Sequence, residues 1–349
     1  MKVLIMTAMM ILMTLSSGWG QGKPKTIDEL ATYMGPDREK IILEGAKAEG
    51  KLVWYTSLGG KSYKTIAKAF RKKYPEIELE VYRAGSKALS QKVLPEAQAK
   101  KYIADVIHST PPILMLLRDK GITKPYSSPH HKKWPKEHKY SAAGGGVWWI
   151  TERMSFIGLG YNTNLISKDR VPKNWEDLLK PEFKGKIAFS LNSTGDRVVG
   201  TMLKYKGMEY LNKLKKQKIK LFKLSGSATR DLVIKGEIPL SVTIFRNHAL
   251  VKINKGAPLD WVPMDVVPTN AGGTSLMAHA SHPYGALLLI DFIIGKEGQD
   301  ILQSFYYGVA WKDYPFKQVL PEKGMTTKQY NKSLKKWDKI LRSLGRRQS

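Results

Sequence analysis

The run "KLVWYTS" at residues 51–57 is apolar on both faces and ends in small polar residues, the pattern of a strand buried inside a parallel sheet. A parallel neighbour is reached only through a crossover of a dozen or more residues, usually a helix. The next residues comply: Tyr63, Ile66, Ala67, Phe70 and Tyr74 fall at helical spacing, and Pro75 ends the run. "EIELEVY" (76–82) then alternates apolar residues with Glu78 and Glu80, as a strand with one wet face does. A helix over 87–101, bent at Pro95, leads to a third strand, "ADVIHST" (104–110). Pro111 and Pro112 suit the first turn of the helix after it. Strand-helix alternation of this kind predicts an α/β fold with right-handed crossovers.

The pattern restarts downstream. "GKIAFS" (185–190), "IKLFK" (219–223) and "IPLSVTIF" (238–245) read as strands, separated by helices over 196–206, 208–217 and 227–235. "GGTSLMAHA" supplies another strand, and "HPYGALLLIDFIIGKEGQDILQSF" two helices with apolar faces. The tail places Tyr330, Leu334, Trp337 and Leu341 on one helical face, with Thr326 and Gln329 spaced as a capping box. A chain of 349 residues exceeds what one core usually holds. The expected division is 21–153 plus 271–311 for one lobe and 154–270 plus 312–349 for the other. The chain would cross between them near Met154–Tyr161 and near Val262–Asn270, each lobe being a mixed sheet flanked by helices.

The first residues, "MKVLIMTAMMILMTLSSGWGQGKPK", have an early Lys2, an apolar core and then Ser16, Ser17 and Gly18. That is the layout of a secretory signal peptide over residues 1–20, with cleavage between Gly18 and Gly22. The sequence contains no cysteine, which excludes disulfides, thiolate metal sites and a lipidated anchor. An exported, periplasmic protein acting as a monomer is the expectation.

"YNTNLISKDRVPKNWEDLLKPEFKGKIAFS" (161–190) resembles the central signature of bacterial extracellular solute-binding proteins of the ferric-ion-binding type. "GAPLDWVPMD" followed by "AHASHPYGALLLIDFIIGKEGQDIL" resembles the closing segment of the same family. The likeness runs from about Asp37 to Phe305. It implies a type II periplasmic-binding-protein clamshell with its ligand between the lobes, delivering cargo to the inner-membrane permease of an ABC-type importer. The strand pattern supports this independently, because ligands of open α/β sheets bind beyond the carboxyl ends of the strands.

The sequence departs from the family at the cargo site. Where ferric-ion members carry adjacent tyrosines, this chain has Ile244, Phe245, Arg246 and Asn247. Their glutamate corresponds to about Ser109, and their first-strand histidine to Gly59 or Gly60. A hard ferric ion is left without phenolate or carboxylate ligands, although a chelated iron held through its anion stays open as the alternative. What replaces the ligands suits a small anion: a phosphate ester, a phosphonate or a carboxylate. Arg246 offers a planar fork. "LNSTGDR" (191–197) brings Asn192, Ser193, Thr194 and Arg197 to a helix start, where backbone N–H groups favour negative charge. "SLGGKS" (57–62) does the same with Ser57 and Lys61, and Ser109 and Thr110 end the third strand. Each has a blander role open to it: Ser193 and Thr194 as helix caps, Lys61 as a solvated charge, Arg246 as half of an ion pair.

Other classes find less support. "GGKS" ends like a phosphate-binding loop, but the glycine needed five residues before Gly60 is Tyr55. An exported hydrolase is the main rival, and neither a Gly-x-Ser-x-Gly elbow nor a convincing carboxylate pair is present. No cofactor is called for. His130, His131 and His138 in "SPHHKKWPKEHKY" are expected in a solvated surface excursion. The 58 Lys and Arg against 30 Asp and Glu give a net charge of +28. They are spread over nearly every helix and not gathered in a nucleic-acid motif. A basic surface that attracts anionic cargo or an anionic membrane is the simpler reading.

Overall fold

The computed structural model describes residues 24–348, so the leader expected at 1–20 lies outside the described residues. Helices α1 (Ile27–Thr32) and α2 (Arg38–Glu49) precede a first alternating unit. It comprises β1 (Lys51–Thr56), α3 (Ser62–Lys73), β2 (Glu78–Arg83), α4 (Ser86–Gln98), β3 (Val106–Ser109) and α5 (Pro111–Asp119). Strand β1 pairs in parallel with β2 and β3, as its apolar faces require. After β4 (Thr123–Lys124) and the hairpin β5 (Lys139–Ser141) and β6 (Val147–Ile150), the long strand β7 (Arg153–Asn162) leads into the second unit. That unit runs β8 (Ile187–Ser190), α6 (Ser193–Lys215), β9 (Ile219–Phe222), α7 (Gly226–Ile234), β10 (Leu240–Phe245), α8 (Arg246–Ile253) and β11 (Leu259–Val262). The long strand β12 (Val266–Met277) returns to α9 (Pro283–Ile294) and α10 (Lys296–Ser304). The chain then passes through β13 (Lys317–Val319), α11 (Thr327–Ser343) and β14 (Gly345–Arg347).

The strands lie in the order β14-β9-β8-β10-β7-β12-β3-β1-β2. The two largest hydrophobic cores on this sheet are separate. One gathers Trp54, Phe70, Trp149 and Leu289; the other gathers Ile157, Trp175, Phe189 and Leu341. Among the described residues the strands that pair between them are β7 and β12, antiparallel, over Phe156↔Thr269 to Arg153↔Gly272. Each of these strands then continues into a different core, β7 against β10 and β11, β12 against β3. All ten residues of β7 are buried, and its glycines let neighbours close on the backbone. A Cβ on Gly158 would lie 2.5 Å from the Trp261 ring.

The two helices expected at 196–206 and 208–217 form one run, α6, broken where Gly207 takes φ 76°. Strand β14 is legible only in the fold: it is three residues of "GRR" that pair with Ile219–Leu221. The histidine segment corrects the expectation of a solvated excursion. It winds into two 3₁₀ turns at 129–133 and 136–138, anchored by Trp134 at 3% exposure. His131 packs against Tyr126, ring centroids 5.4 Å apart, and burial pulls its pKa to about 4. His138 is buried too, and the flanking Lys132 and Lys133 take the solvent side. Among the described residues no group of three or more His, Asp or Glu side chains is placed to hold a metal.

Helix α11 opens on the capping box read from the sequence. Thr326 accepts from Gln329 N at 3.2 Å, and Gln329 Oε1 accepts from Thr326 N at 2.8 Å. Removing the cap with Thr326→Ala is expected to lower stability by about 1 kcal/mol, read as a shifted urea midpoint with an unchanged slope.

Candidate functional site

The carboxyl ends of the strands in both cores deliver their following helices to one cleft. It is lined by the first turns of α4 (Gly85, Ser86, Lys87), α5 (Thr110, Pro112, Ile113) and α6 (Ser193, Thr194, Arg197), with Phe245, Asn270 and the α11 residues Tyr330 and Leu334. Its volume is about 720 Å³. Neither α4 nor α5 has a side-chain cap. The first-turn N–H groups of α4 are therefore available to an anion, whereas α5 begins with two prolines and has fewer to give. Lys87 adds a full charge to the α4 end.

Of the residues singled out from the sequence, Thr110, Ser193, Thr194 and Arg197 line this cleft. The cap of α6 is Asn192, whose side chain accepts from Thr194 N at 2.8 Å and donates to Leu224 O at 2.6 Å. Ser193 and Thr194 are thereby left in the first turn and facing the cleft. The Arg197 guanidinium is already engaged: it donates to Glu322 and, at 3.2 Å, to Thr269 O. Ser57 does not line the cleft; its hydroxyl lies 3.2 Å from His108 Nδ1. Ser109 is wholly buried, and Lys61 is exposed at the start of α3. Ser190, the end of β8, is consumed by hydroxyl contacts with Thr229 at 2.9 Å and Thr243 at 3.1 Å. Arg246 is the first residue of α8, half-buried. No carboxylate lies within 4.0 Å of it among the described residues, so the ion pair that was one of its two possible roles is not formed.

Behind the cleft, where β7 and β12 pair, is a polar cluster that was not picked out from the sequence. His108 Nε2 stands 3.3 Å from Glu152 Oε1, both side chains fully buried. Arg153, 5% exposed, donates to Asn270 O at 3.0 Å and stands over the Tyr307 ring, 5.8 Å from its centroid. It has no carboxylate within 4.0 Å among the described residues. A Cβ on Gly272 would meet Arg153 Nε at 2.5 Å and His108 Nε2 at 2.7 Å, so glycine here is what allows both groups to converge. His248 of α8, in the second core, is held down to about 4 by burial and by the charges of Arg230 and Arg153. Its ring is 5.2 Å from that of Phe245, which lines the cleft. The cluster thus draws on both cores and lies behind the cleft wall: its neighbours Asn270 and Phe245 line the cleft, while His108, Glu152 and Arg153 do not. Its one sequence signal is a Glu152–Arg153 charge pair inside the otherwise apolar "VWWITERMSFIGLGY".

Burial pushes Glu152 up to about 7, and burial together with Arg153 drives His108 well below the ordinary imidazole value. Below neutral pH the carboxyl is largely protonated and the imidazole neutral, so Arg153 sets the sign of the field. A carboxyl raised from 4.5 in the unfolded chain to about 7 favours folding most at low pH. That stability is lost as pH rises from about 4.5 through 7. Glu152→Gln should remove this component, measured as a flatter thermal midpoint against pH. Asp196, which burial and Asp338 likewise push up to about 7, remains in both proteins and cancels in the comparison. The nearby cations Arg153 and Arg197 do not titrate in this window, and His248, held down to about 4, is common to both proteins and cancels as Asp196 does.

With this geometry, comparison with known proteins is informative. Residues 101–341 match the family described as bacterial extracellular solute-binding protein. An uncharacterized protein of Haemophilus influenzae is 29% identical over 287 residues, spanning 79% of each chain. The periplasmic binding protein AfuA of Actinobacillus pleuropneumoniae, solved with exogenous fructose-6-phosphate bound, superposes with TM-score 0.70 at 21% identity, covering 84% of this chain and 99% of that one. Iron-bound HitA of Pseudomonas aeruginosa superposes with TM-score 0.67 at 21% identity, covering 85% and 99%. At these identities the structural likeness carries the fold, the two-lobed clamshell, and the sequence match over most of the chain carries the family. The chain belongs to the bacterial extracellular solute-binding proteins.

Proposed function

We propose that this protein is the periplasmic solute-binding component of an ABC-type importer and that it closes its two cores, about the β7–β12 pair, on a small anion. The observation that carries the anion is Arg153: a guanidinium buried at the junction of the cores with no carboxylate within 4.0 Å among the described residues. An unpaired buried charge is costly, and a ligand carboxylate, phosphate ester or phosphonate that pairs with it removes that cost. Three helix starts, Lys87 and the hydroxyls of Thr110, Ser193 and Thr194 supply further donors around the same cleft. Arg246 stands on the same side of the second core as a further cation for the closed state. Closure, not turnover, is the expected activity, and the partner is an inner-membrane permease that recognises the closed form.

Fructose-6-phosphate in one structural relative and iron in another are two ligand chemistries found on this fold. The donor set here, cationic and hydroxylic where ferric-ion relatives have tyrosines, favours the phosphorylated or carboxylated organic anion. The test is a thermal-shift screen of residues 21–349 with sugar phosphates, phosphonates, carboxylates, polyamines, ferric citrate and iron(III). A ligand at a hundred times its dissociation constant adds about 2.7 kcal/mol, a shift of a few degrees in a chain this size. A shift confined to one anionic class is the expected result. A shift with iron(III) or a polyamine alone would overturn the anion assignment.

A further inference from the structure

The strands of the second core point their carboxyl ends at the cleft, so their amino ends form the opposite pole of that lobe. There Lys186 precedes β8 and Lys218 precedes β9, and the backbone N–H of Gly185 donates to Gln217 O at 2.7 Å, bringing the two approaches side by side. Lys220 is the Cα partner of Arg346 across β9 and β14, and Lys216 closes the turn from α6. Lys186, Lys216, Lys218 and Arg346 are exposed, and none of these five cations has a carboxylate within 4.0 Å among the described residues. The acids at this pole include Asp169, Glu182, 3.7 Å from Arg170, and Glu237, 3.7 Å from Lys235. Strand β7 is antiparallel to β10, so the loop after Asn162 emerges at the same pole. It carries Leu165, 54% exposed, in a shared hollow with Arg170 and Lys186.

We propose that this pole is a docking surface for an anionic phospholipid bilayer. The cations come from two neighbouring strand approaches and the edge strand beside them, at the roughly 5 Å spacing of a sheet. They therefore present a broad front and not a groove, and an exposed leucine stands among them. A layer of phosphate headgroups over hydrocarbon matches both features, whereas an extended polyanion uses only the charge. Bound by this pole, the protein keeps its cleft turned away from the lipid and open to solute, and its search for the permease is confined to the membrane plane. Cations on a sheet edge can also serve only to prevent edge pairing; that role predicts no affinity for lipid.

The experiment is co-sedimentation of residues 21–349, which carry both cores, with vesicles of phosphatidylglycerol and phosphatidylethanolamine or of phosphatidylcholine alone, at low and high salt. Each cation near such a surface contributes about fivefold to partition. The variant Lys186→Gln, Lys218→Gly, Lys220→Gln, Arg346→Gln should therefore bind anionic vesicles several hundredfold more weakly at low salt. Glycine is chosen at 218 because that residue holds φ 54°, so the substitution relieves the backbone. Leu165→Asn should cost about tenfold at both salt levels, since it removes burial and not charge. The control neutralises four exposed lysines of the first core, Lys64→Gln, Lys68→Gln, Lys72→Gln and Lys100→Gly, and should bind like the wild type. Equal loss in the control, unchanged binding by the pole variant, or a wild type that binds polyphosphate but neither kind of vesicle would each overturn the proposal. Thermal midpoints within a few degrees of wild type for all variants establish that the readout is docking.

Discussion

Arg153→Met is expected to weaken binding of the anionic ligand by two to three orders of magnitude and to leave the empty protein as stable as before, or more so. The opposite signs follow from one geometry. In the empty protein the guanidinium is buried with only Asn270 O and a long contact to Ser155 Oγ at 3.4 Å to offset its lost hydration. Replacing such a charge by an apolar group of similar length is neutral or stabilising by about 1–4 kcal/mol. Pairing it with a ligand anion, desolvated between closing cores, is worth about 2–5 kcal/mol, and truncation forfeits that. Titration calorimetry with the ligand found in the thermal screen, together with urea unfolding of the empty protein, measures both. If Arg153 were only a strut for β12, the variant would lose stability and the folded fraction would bind as tightly as before. Glu152 should modulate the same interaction. As pH rises through about 7 its carboxyl ionises beside Arg153, so anion affinity should fall in the wild type and stay flatter in Glu152→Gln.

Glu322→Ala is expected to destabilise the protein by about 3–5 kcal/mol, the cost of leaving one member of a buried pair alone. Arg197 side-chain exposure is 10% and that of Glu322 is 2%. The bond between them ties α6 to the segment entering α11, and the bond from Arg197 to Thr269 O ties both to β12. The double variant Arg197→Ala, Glu322→Ala should recover a large part of the loss, which a double-mutant cycle on urea midpoints reads directly. The same substitution separates two roles for Arg197. With Glu322 gone, a cleft-lining guanidinium loses its counter-charge, so an anionic ligand should raise the midpoint of Glu322→Ala by more than it raises that of the wild type. Equal increments would mean that Arg197 serves the fold alone.

Both predictions turn on residues whose meaning lies in their neighbours. Arg246 drew attention in the sequence because it ends an apolar strand; the fold makes it the first residue of α8, next to the cleft-lining Phe245 and not itself in the lining. Arg153 is the stronger candidate, yet in the sequence it is half of a Glu152–Arg153 pair that reads as self-neutralising. Only the fold separates them, sending Glu152 to His108 and Arg153 to the β12 backbone, because successive residues of an extended chain point to opposite faces. Arg197 shows the converse: a helix start marked it as a ligand contact, and the fold brings Glu322, 125 residues later, against it.

Local rules were enough to set the α/β alternation, the strand runs, the break in α6 at Gly207, the capping box of α11 and the family signature, since each depends on periodicity or on contacts within a few residues. The histidine segment escaped them because its lysines signal solvent while Trp134, a single anchor, pulls it into the first core. The placement of β14 escaped them because three polar residues carry no period, and pairing energy comes from a partner strand far away in the chain. The lone guanidinium at the junction of two cores belongs to the same class: a charge is paired or unpaired according to what the tertiary structure sets within 4 Å of it, and no spacing along the chain encodes that distance.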